Sequence, residues 1–245
     1  MRYSPAHMLD ISRIRAISLD LDDTLWPIWP TIARAEERLQ QWLSQHAPPT
    51  ATLFADPDLR LGLREVALER LPHLAHDLSA IRQEMIRLGL ERSGADPSLA
   101  CDAFAVFFAA RMEVDLFDDA LPALAWLSQR YPVVALTNGN ADVHRVGIGH
   151  FFTASLSARE VGVGKPDAQI FLAAAQRLGL LPEQILHVGD DAVLDVVGAQ
   201  GVGMQTVWIN RDEAPWGQHP PPDATVSSMS VLCDLLSDPG RGPAL

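Results

Sequence analysis

Ten residues near the start of the chain, Ile17-Ser18-Leu19-Asp20-Leu21-Asp22-Asp23-Thr24-Leu25-Trp26, constrain it more than any others. Their apolar run reads as a buried strand that delivers two carboxylates, Asp20 and Asp22, to its end. Alternate strand positions share a face, so these two side chains project together. Like charges that close destabilise one another unless a cation lies between them or one keeps its proton, and both conditions are useful in catalysis. Asp23 falls on the other alternation and reads as a turn residue.

The rest of the chain changes rhythm twice. Residues 30–113 carry repeated helical periodicity and hardly any strand signal: Ile32, Ala35, Leu39, Trp42 and Leu43 form one stripe, and Leu63, Val66, Ala67 and Arg70 a second. Ile81, Met85 and Leu88 mark a third helix, and Phe104, Phe107, Phe108 and Met112 a fourth. Proline and glycine punctuate the segment at Pro48-Pro49, Pro57, Gly89, Gly94 and Pro97, so a module of about four helices is expected. From Leu116 strand and helix alternate. Apolar runs at Val133 to Leu136, Ile185 to Val188 and Thr206 to Ile209 read as strands, with helices near Pro122, through Ile170 to Leu178 and from Val196 to Gln200. Residues 211–223 read as a loop and Met229 to Leu236 as a short helix; residues 238–245 are expected to fray.

This organisation predicts an α/β fold: a Rossmann-like parallel sheet flanked by helices, with the first strand near its middle and an all-helical insert. Residues 1–29 and 114–245 are expected to form the α/β core and residues 30–113 the helical cap. Ligands of such sheets bind at the carboxyl ends of the strands.

The chain has 245 residues and a formal net charge of −12. So negative a surface argues against nucleic acid or an anionic membrane as a partner, and an anionic substrate would need local positive charge at its site. No apolar run approaches the length of a membrane span, and a cytoplasmic protein is expected, monomeric or homodimeric. Cys101 and Cys233 lack metal-ligand spacing and read as small buried thiols. His73 and His76 stand three apart, but there is no second ligand pair for zinc; His187 reads as a packed strand residue.

Taken in order, the strand ends present Asp20, Asp22 and Thr24, then Thr137 and Asn138, then Lys165 in Gly164-Lys165-Pro166-Asp167, and finally Asp190, Asp191 and Asp195. That set resembles the haloacid dehalogenase superfamily across all four of its motifs, over roughly residues 14–209. The resemblance implies a nucleophile that becomes a phospho-aspartate at Asp20 and a general acid and base at Asp22. It also implies Mg²⁺ held by the Asp20 carboxylate, the Asp22 carbonyl oxygen and Asp190, with Asp195 or Asp191 orienting ligands from behind. Thr137, Asn138 and Lys165 would bind the substrate phosphate.

Two features narrow the expectation. The long insert lies between the first and second motifs, which resembles the subgroup whose helical cap selects small soluble metabolites. Asp22 favours a phosphate ester over a halide, because an alkoxide leaving group needs a proton. The expected function is therefore a Mg²⁺-dependent phosphatase acting on a small-molecule phosphate ester. The segments around Thr137, His187 and Trp208 further resemble bacterial flavin-pathway phosphatases, whose substrates include flavin mononucleotide (FMN) and 5-amino-6-(5-phospho-D-ribitylamino)uracil. The alternatives are a 2-haloacid dehalogenase and, from another class, a receiver-like phospho-aspartate signalling module. Trp26 and Trp29, directly after the first motif, read as packing the hinge to the cap or touching substrate, with the hinge favoured.

Overall fold

The computed structural model describes residues 9–237; the fraying expected over 238–245 lies outside the described residues. Its centre is a six-stranded sheet of β1 (Ala16–Leu19), β2 (Val133–Thr137), β3 (Ala154–Ser157), β4 (Ile185–Gly189), β5 (Gln205–Ile209) and β6 (Ala224–Val226). The spatial order is β3-β2-β1-β4-β5-β6, and every pairing is parallel. From β1 the chain winds outward to β3, then returns to β4 and winds out to β6. The order therefore reverses between β1 and β4, which is where an open α/β sheet forms its ligand crevice.

The expected fold is borne out, and burial explains why it was legible. Strands β1, β2 and β4 are buried at every position. A parallel strand covered on both faces must read as an apolar run. The two edge strands, β3 and β6, escape that reading because they are short, partly exposed and built from small or polar residues such as Ala154, Ser155 and Thr225.

The described residues fall into two compact units. The first holds the chain up to Trp26, Leu116–Gly139 and the chain from Val143 on; the second holds Pro27–Asp115 and Asn140–Asp142. Five helices make up most of the second unit: α1 (Ile28–His46), α2 (Pro48–Ala55), α3 (Pro57–Arg70), α4 (Leu78–Arg92) and α5 (Ala100–Arg111). About four were expected. The extra helix, α2, starts on Pro48-Pro49, and α3 starts on Pro57. Proline in the first turn needs no hydrogen-bonded N–H and brings a helical φ, so these prolines begin helices rather than separate them. Asp56 caps α3 by accepting from the amides of Asp58 and Leu59, and Asp77 caps α4 in the same way. Ala35, Leu39, Leu43, Phe54, Leu63, Ala67, Met85, Ile86 and Phe107 form the core of this unit.

In the first unit the strands are joined through α6 (Ala120–Ser128), α7 (Val143–Val146), α8 (Ala158–Val161), α9 (Ala168–Leu178) and α10 (Gly198–Gln200), and α11 (Met229–Ser237) follows β6. Ile170, Phe171 and Ala174 of α9 pack on Val134 and Leu136 of β2 and Ala16 of β1. The helix expected from Val196 begins earlier, as a π-helical segment at Ala192–Val197 that runs into α10. Cys101 is exposed and Cys233 half-buried; both are free thiols. No helix among the described residues is long and apolar enough to cross a membrane.

Candidate active site

The carboxyl ends of β1 and β4, with the loop that carries Lys165, bring Asp20, Asp190, Asp195 and Lys165 together. Asp20 follows β1 directly, and its amide donates to the Val188 carbonyl at 2.9 Å, which carries the ladder one residue past the strand. Its carboxylate is buried and accepts from Lys165 Nζ at 2.5 Å. Lys165, itself buried, donates equally to Asp195 Oδ1 at 2.5 Å. One ligand oxygen from each of Asp20, Asp190 and Asp195 lies within 4.8 Å of the others.

So many buried acids leave a mark on their own titration. Burial, reinforced by the charges of Asp195 and Asp190, holds the Asp20 carboxyl well above the usual carboxylate range despite Lys165 beside it. Burial and the Asp195 charge push Asp190 up to about 7. Asp195 goes the other way. Burial disfavours its charge, but Lys165 and the His187 hydrogen bond outweigh that and hold it below the ordinary range. Burial likewise opposes the Lys165 cation, and Asp195 and Asp20 more than reverse it, so the ammonium is firmly charged. The cluster thus holds one fixed cation among three carboxylates, two of them strained towards protonation. A hard divalent cation at Asp20 and Asp190 would relieve that strain, and three converging oxygens are the donors such a cation prefers.

Lys165 is delivered from a loop, and Asn138 is what holds the loop. The Asn138 side chain accepts from the Lys165 amide at 2.6 Å and donates to the Lys165 carbonyl at 2.8 Å. A carboxamide engaged at both ends supports Lys165; anything Asn138 offers a phosphate must come from its backbone. Gly164 permits this close approach, because a Cβ there would stand 2.7 Å from Asn138 Oδ1. Thr137, the last residue of β2, is buried and accepts from the Gly139 amide at 2.8 Å, which shapes the turn after the strand.

Asp190 and Asp191 do different work. Thr24 Oγ1 donates to Asp190 Oδ1 at 2.9 Å, and Trp208 Nε1 donates to the Asp190 carbonyl at 2.6 Å, so this residue is held from the loop after β1 and from β5 together. The Asp191 side chain caps the segment Ala192–Val197, accepting from Val193 and Leu194 amides, both at 2.8 Å. Its amide donates to Asp195 Oδ2 at 3.0 Å. Gly189 is required by the same packing: a Cβ there would lie 2.3 Å from Asp195 Cγ.

Sequence reasoning missed two polar residues under the site. Ser18 and His187 are both buried, in register on β1 and β4. Ser18 Oγ lies 2.7 Å from His187 Nδ1, and His187 Nε2 lies 3.1 Å from Asp195 Oδ1. Asp195 can only accept, so Nε2 carries the ring proton, and the Ser18 hydroxyl donates to Nδ1. Burial lowers the His187 pKa, in keeping with that neutral form. His187 is therefore wired into the acidic cluster rather than merely packed. The signal was visible: each is the one polar residue inside an otherwise apolar strand.

Trp26 is fully buried and its Nε1 donates to Asp22 Oδ1 at 2.8 Å, whereas Trp29 departs from the packed role expected of it and is 76% exposed. Asp23 sits at φ 58 in the turn between Asp22 and Trp26, in keeping with its reading as a turn residue.

The model of the haloacid dehalogenase-like hydrolases matches residues 14–203. The chain belongs to that family. It is 33% identical over 236 residues, 92% of its own length and 98% of the relative's, to the 5-amino-6-(5-phospho-D-ribitylamino)uracil phosphatase YigB of Escherichia coli (strain K12). It is 30% identical over 241 residues to a phosphoserine phosphatase of Thermus thermophilus, covering 88% of this chain and 96% of that one. A solved structure titled 2-haloacid dehalogenase, from Pseudomonas syringae pv. Tomato DC3000, superposes with a TM-score of 0.87 at 35% identity, covering 91% of this chain and 98% of that chain. Over most of its length this haloacid dehalogenase-like chain thus stands with the family's phosphoric monoester hydrolases as well as with a member titled a dehalogenase.

Proposed function

We propose that this hydrolase is a Mg²⁺-dependent phosphatase that cleaves a small phosphorylated metabolite through a phospho-aspartate at Asp20. The observation that carries this reading is the buried cluster itself: Asp20, Asp190 and Asp195 converge within 4.8 Å beside the Lys165 ammonium. With a divalent cation on the carboxylates and the Lys165 ammonium beside them, such a cluster would offset the charge of a phosphoryl group as it transfers.

The Asp20 carboxylate attacks phosphorus, and the ester P–O bond breaks as Asp22 gives its proton to the leaving alkoxide. Asp22 then takes a proton from water as the water oxygen bonds to phosphorus, the Asp20 acyl phosphate breaks and phosphate leaves. Lys165 offsets charge on the transferring group, with Thr137 and the backbone amides after it as further donors. Asp20, the Asp22 carbonyl and Asp190 are the residues that would hold Mg²⁺, with Asp195 orienting from behind. The cation would keep Asp20 ionised and draw charge from the phosphoryl oxygens. Choice among esters is assigned to the helical segment, residues 30–113, on the family resemblance.

The similarity to YigB makes 5-amino-6-(5-phospho-D-ribitylamino)uracil and FMN the first esters to try. Dehalogenation is the second reading, favoured by the likeness to the Pseudomonas syringae structure; Asp22 speaks against it, because a departing halide needs no proton. Purified protein with Mg²⁺ is to be given a panel of ribityl, flavin, sugar and amino-acid phosphates, reading released phosphate, and 2-chloropropionate, reading chloride. Phosphate release lost in Asp20→Asn is the expected result. Chloride release without phosphatase activity would reverse the assignment.

A further inference from the structure

We infer that Trp26 is a positioning residue for Asp22, helping to hold its carboxyl in the orientation that proton transfer needs. This rests on the phosphatase reading above. The indole Nε1 donates to Asp22 Oδ1 at 2.8 Å from a fully buried ring. Asp22 and Trp26 are also joined through the backbone as an isolated bridge, closed by Asp23 donating to the Trp26 carbonyl at 2.7 Å. Leu25 donates to the Leu21 carbonyl at 2.8 Å, and Phe117 donates to the Leu25 carbonyl at 2.9 Å, which ties the loop to the chain beyond. The loop therefore cannot drift without breaking several bonds at once.

An indole N–H is a donor and nothing else. The oxygen facing it is held as an acceptor on that side, which helps to fix the plane of the carboxyl. In the first half-reaction the Asp22 proton passes to the ester oxygen as the P–O bond breaks. In the second, the Asp22 carboxylate takes the proton of water as the new O–P bond forms. Without the indole the carboxyl loses one of the bonds that orient it, and the geometry on which proton transfer depends is loosened.

Trp26→Phe keeps a six-membered ring at this buried position and removes the N–H donor together with the five-membered ring. In kcat/KM, which reports the phosphorylation step, it should slow an alkyl phosphate by roughly tenfold and p-nitrophenyl phosphate by less than about threefold, because nitrophenolate needs little protonation. In an Asp22→Asn background the same change should cost nothing further. Equal slowing of both esters, or full additivity with Asp22→Asn, overturns the inference while leaving the phosphatase reading intact. Should wild-type protein release phosphate from no ester, that reading falls and the inference with it. If Trp26→Phe does not fold, the ¹⁵N-indole resonance of Trp26 decides instead. It should move between wild-type and Asp22→Asn protein, and an unmoved resonance overturns the contact.

Discussion

Ser18 and His187 stand in register on β1 and β4, and the hydroxyl of one meets the ring nitrogen of the other at 2.7 Å. Through His187 Nε2 this buried pair reaches Asp195, which in turn shares Lys165 with Asp20. The sheet interior therefore supports the acidic cluster from below by polar bonds as well as by packing.

Breaking that support should be measurable. His187→Phe leaves the Ser18 hydroxyl buried without its partner and removes one donor from Asp195, a loss of about 1–3 kcal/mol. Ser18→Ala alone should cost about 1 kcal/mol, and close to nothing when added to His187→Phe. Urea unfolding of the four proteins checks this, and additive losses would show that the two residues do not share a bond.

Lys165 carries more. Lys165→Met leaves Asp20 and Asp195 buried without a cation, which costs about 3–5 kcal/mol where a buried pair is broken. The sign with pH follows from the acids. In the wild type the depressed pKa of Asp195 gives stability that is complete above the ordinary carboxylate value. Without Lys165 both carboxyls rise, and groups with raised pKa lose stability as pH climbs. The melting temperature of the variant should therefore fall further below wild type at pH 8 than at pH 5; an equal gap at both would mean that Lys165 is not what balances the acids.

Much of this arrangement was readable in the sequence because its physics is local. Asp20, Thr137 and Asp190 end or follow apolar runs, and a run buried on both faces can hardly be anything but a central strand. What escaped is long-range or marginal. The Trp26 bond to Asp22 depends on a turn that folds the chain back at Asp23, and alternation along a strand says nothing of it. Ser18 and His187 are 169 residues apart, and only the sheet register joins them. The pair Pro48-Pro49 was ambiguous because proline both ends and begins helices, and only the packed Ala51 and Phe54 decide between them. Asn138 looked like a phosphate ligand and its side chain is instead taken up by Lys165.

Asp20→Asn should remove turnover to the limit of detection, since a carboxamide is a poor nucleophile and a weak ligand for a hard cation. Folding should survive, because burying this carboxylate already opposes its charge. Phosphate release together with a melting curve tests both halves. Substantial turnover by pure variant protein would remove Asp20 from the mechanism.

Cation binding should be coupled to protons in a direction the acids dictate. The Asp190 carboxyl is raised to about 7 in the metal-free protein, so up to that pH it holds a proton that Mg²⁺ must displace. A raised pKa contributes stability below the ordinary carboxylate value and loses it as pH climbs to about 7, so the metal-free protein gives up stability in this window. Mg²⁺ restores it by taking the place of the proton. Apparent affinity should accordingly fall by up to about tenfold per pH unit below that point for each proton displaced. In thermal melts the stabilisation on adding Mg²⁺ should be larger at pH 8 than at pH 6, and Asp190→Asn should abolish most of the difference. A Mg²⁺ shift that is the same at both pH values, or that survives in Asp190→Asn, would place the cation away from this carboxylate.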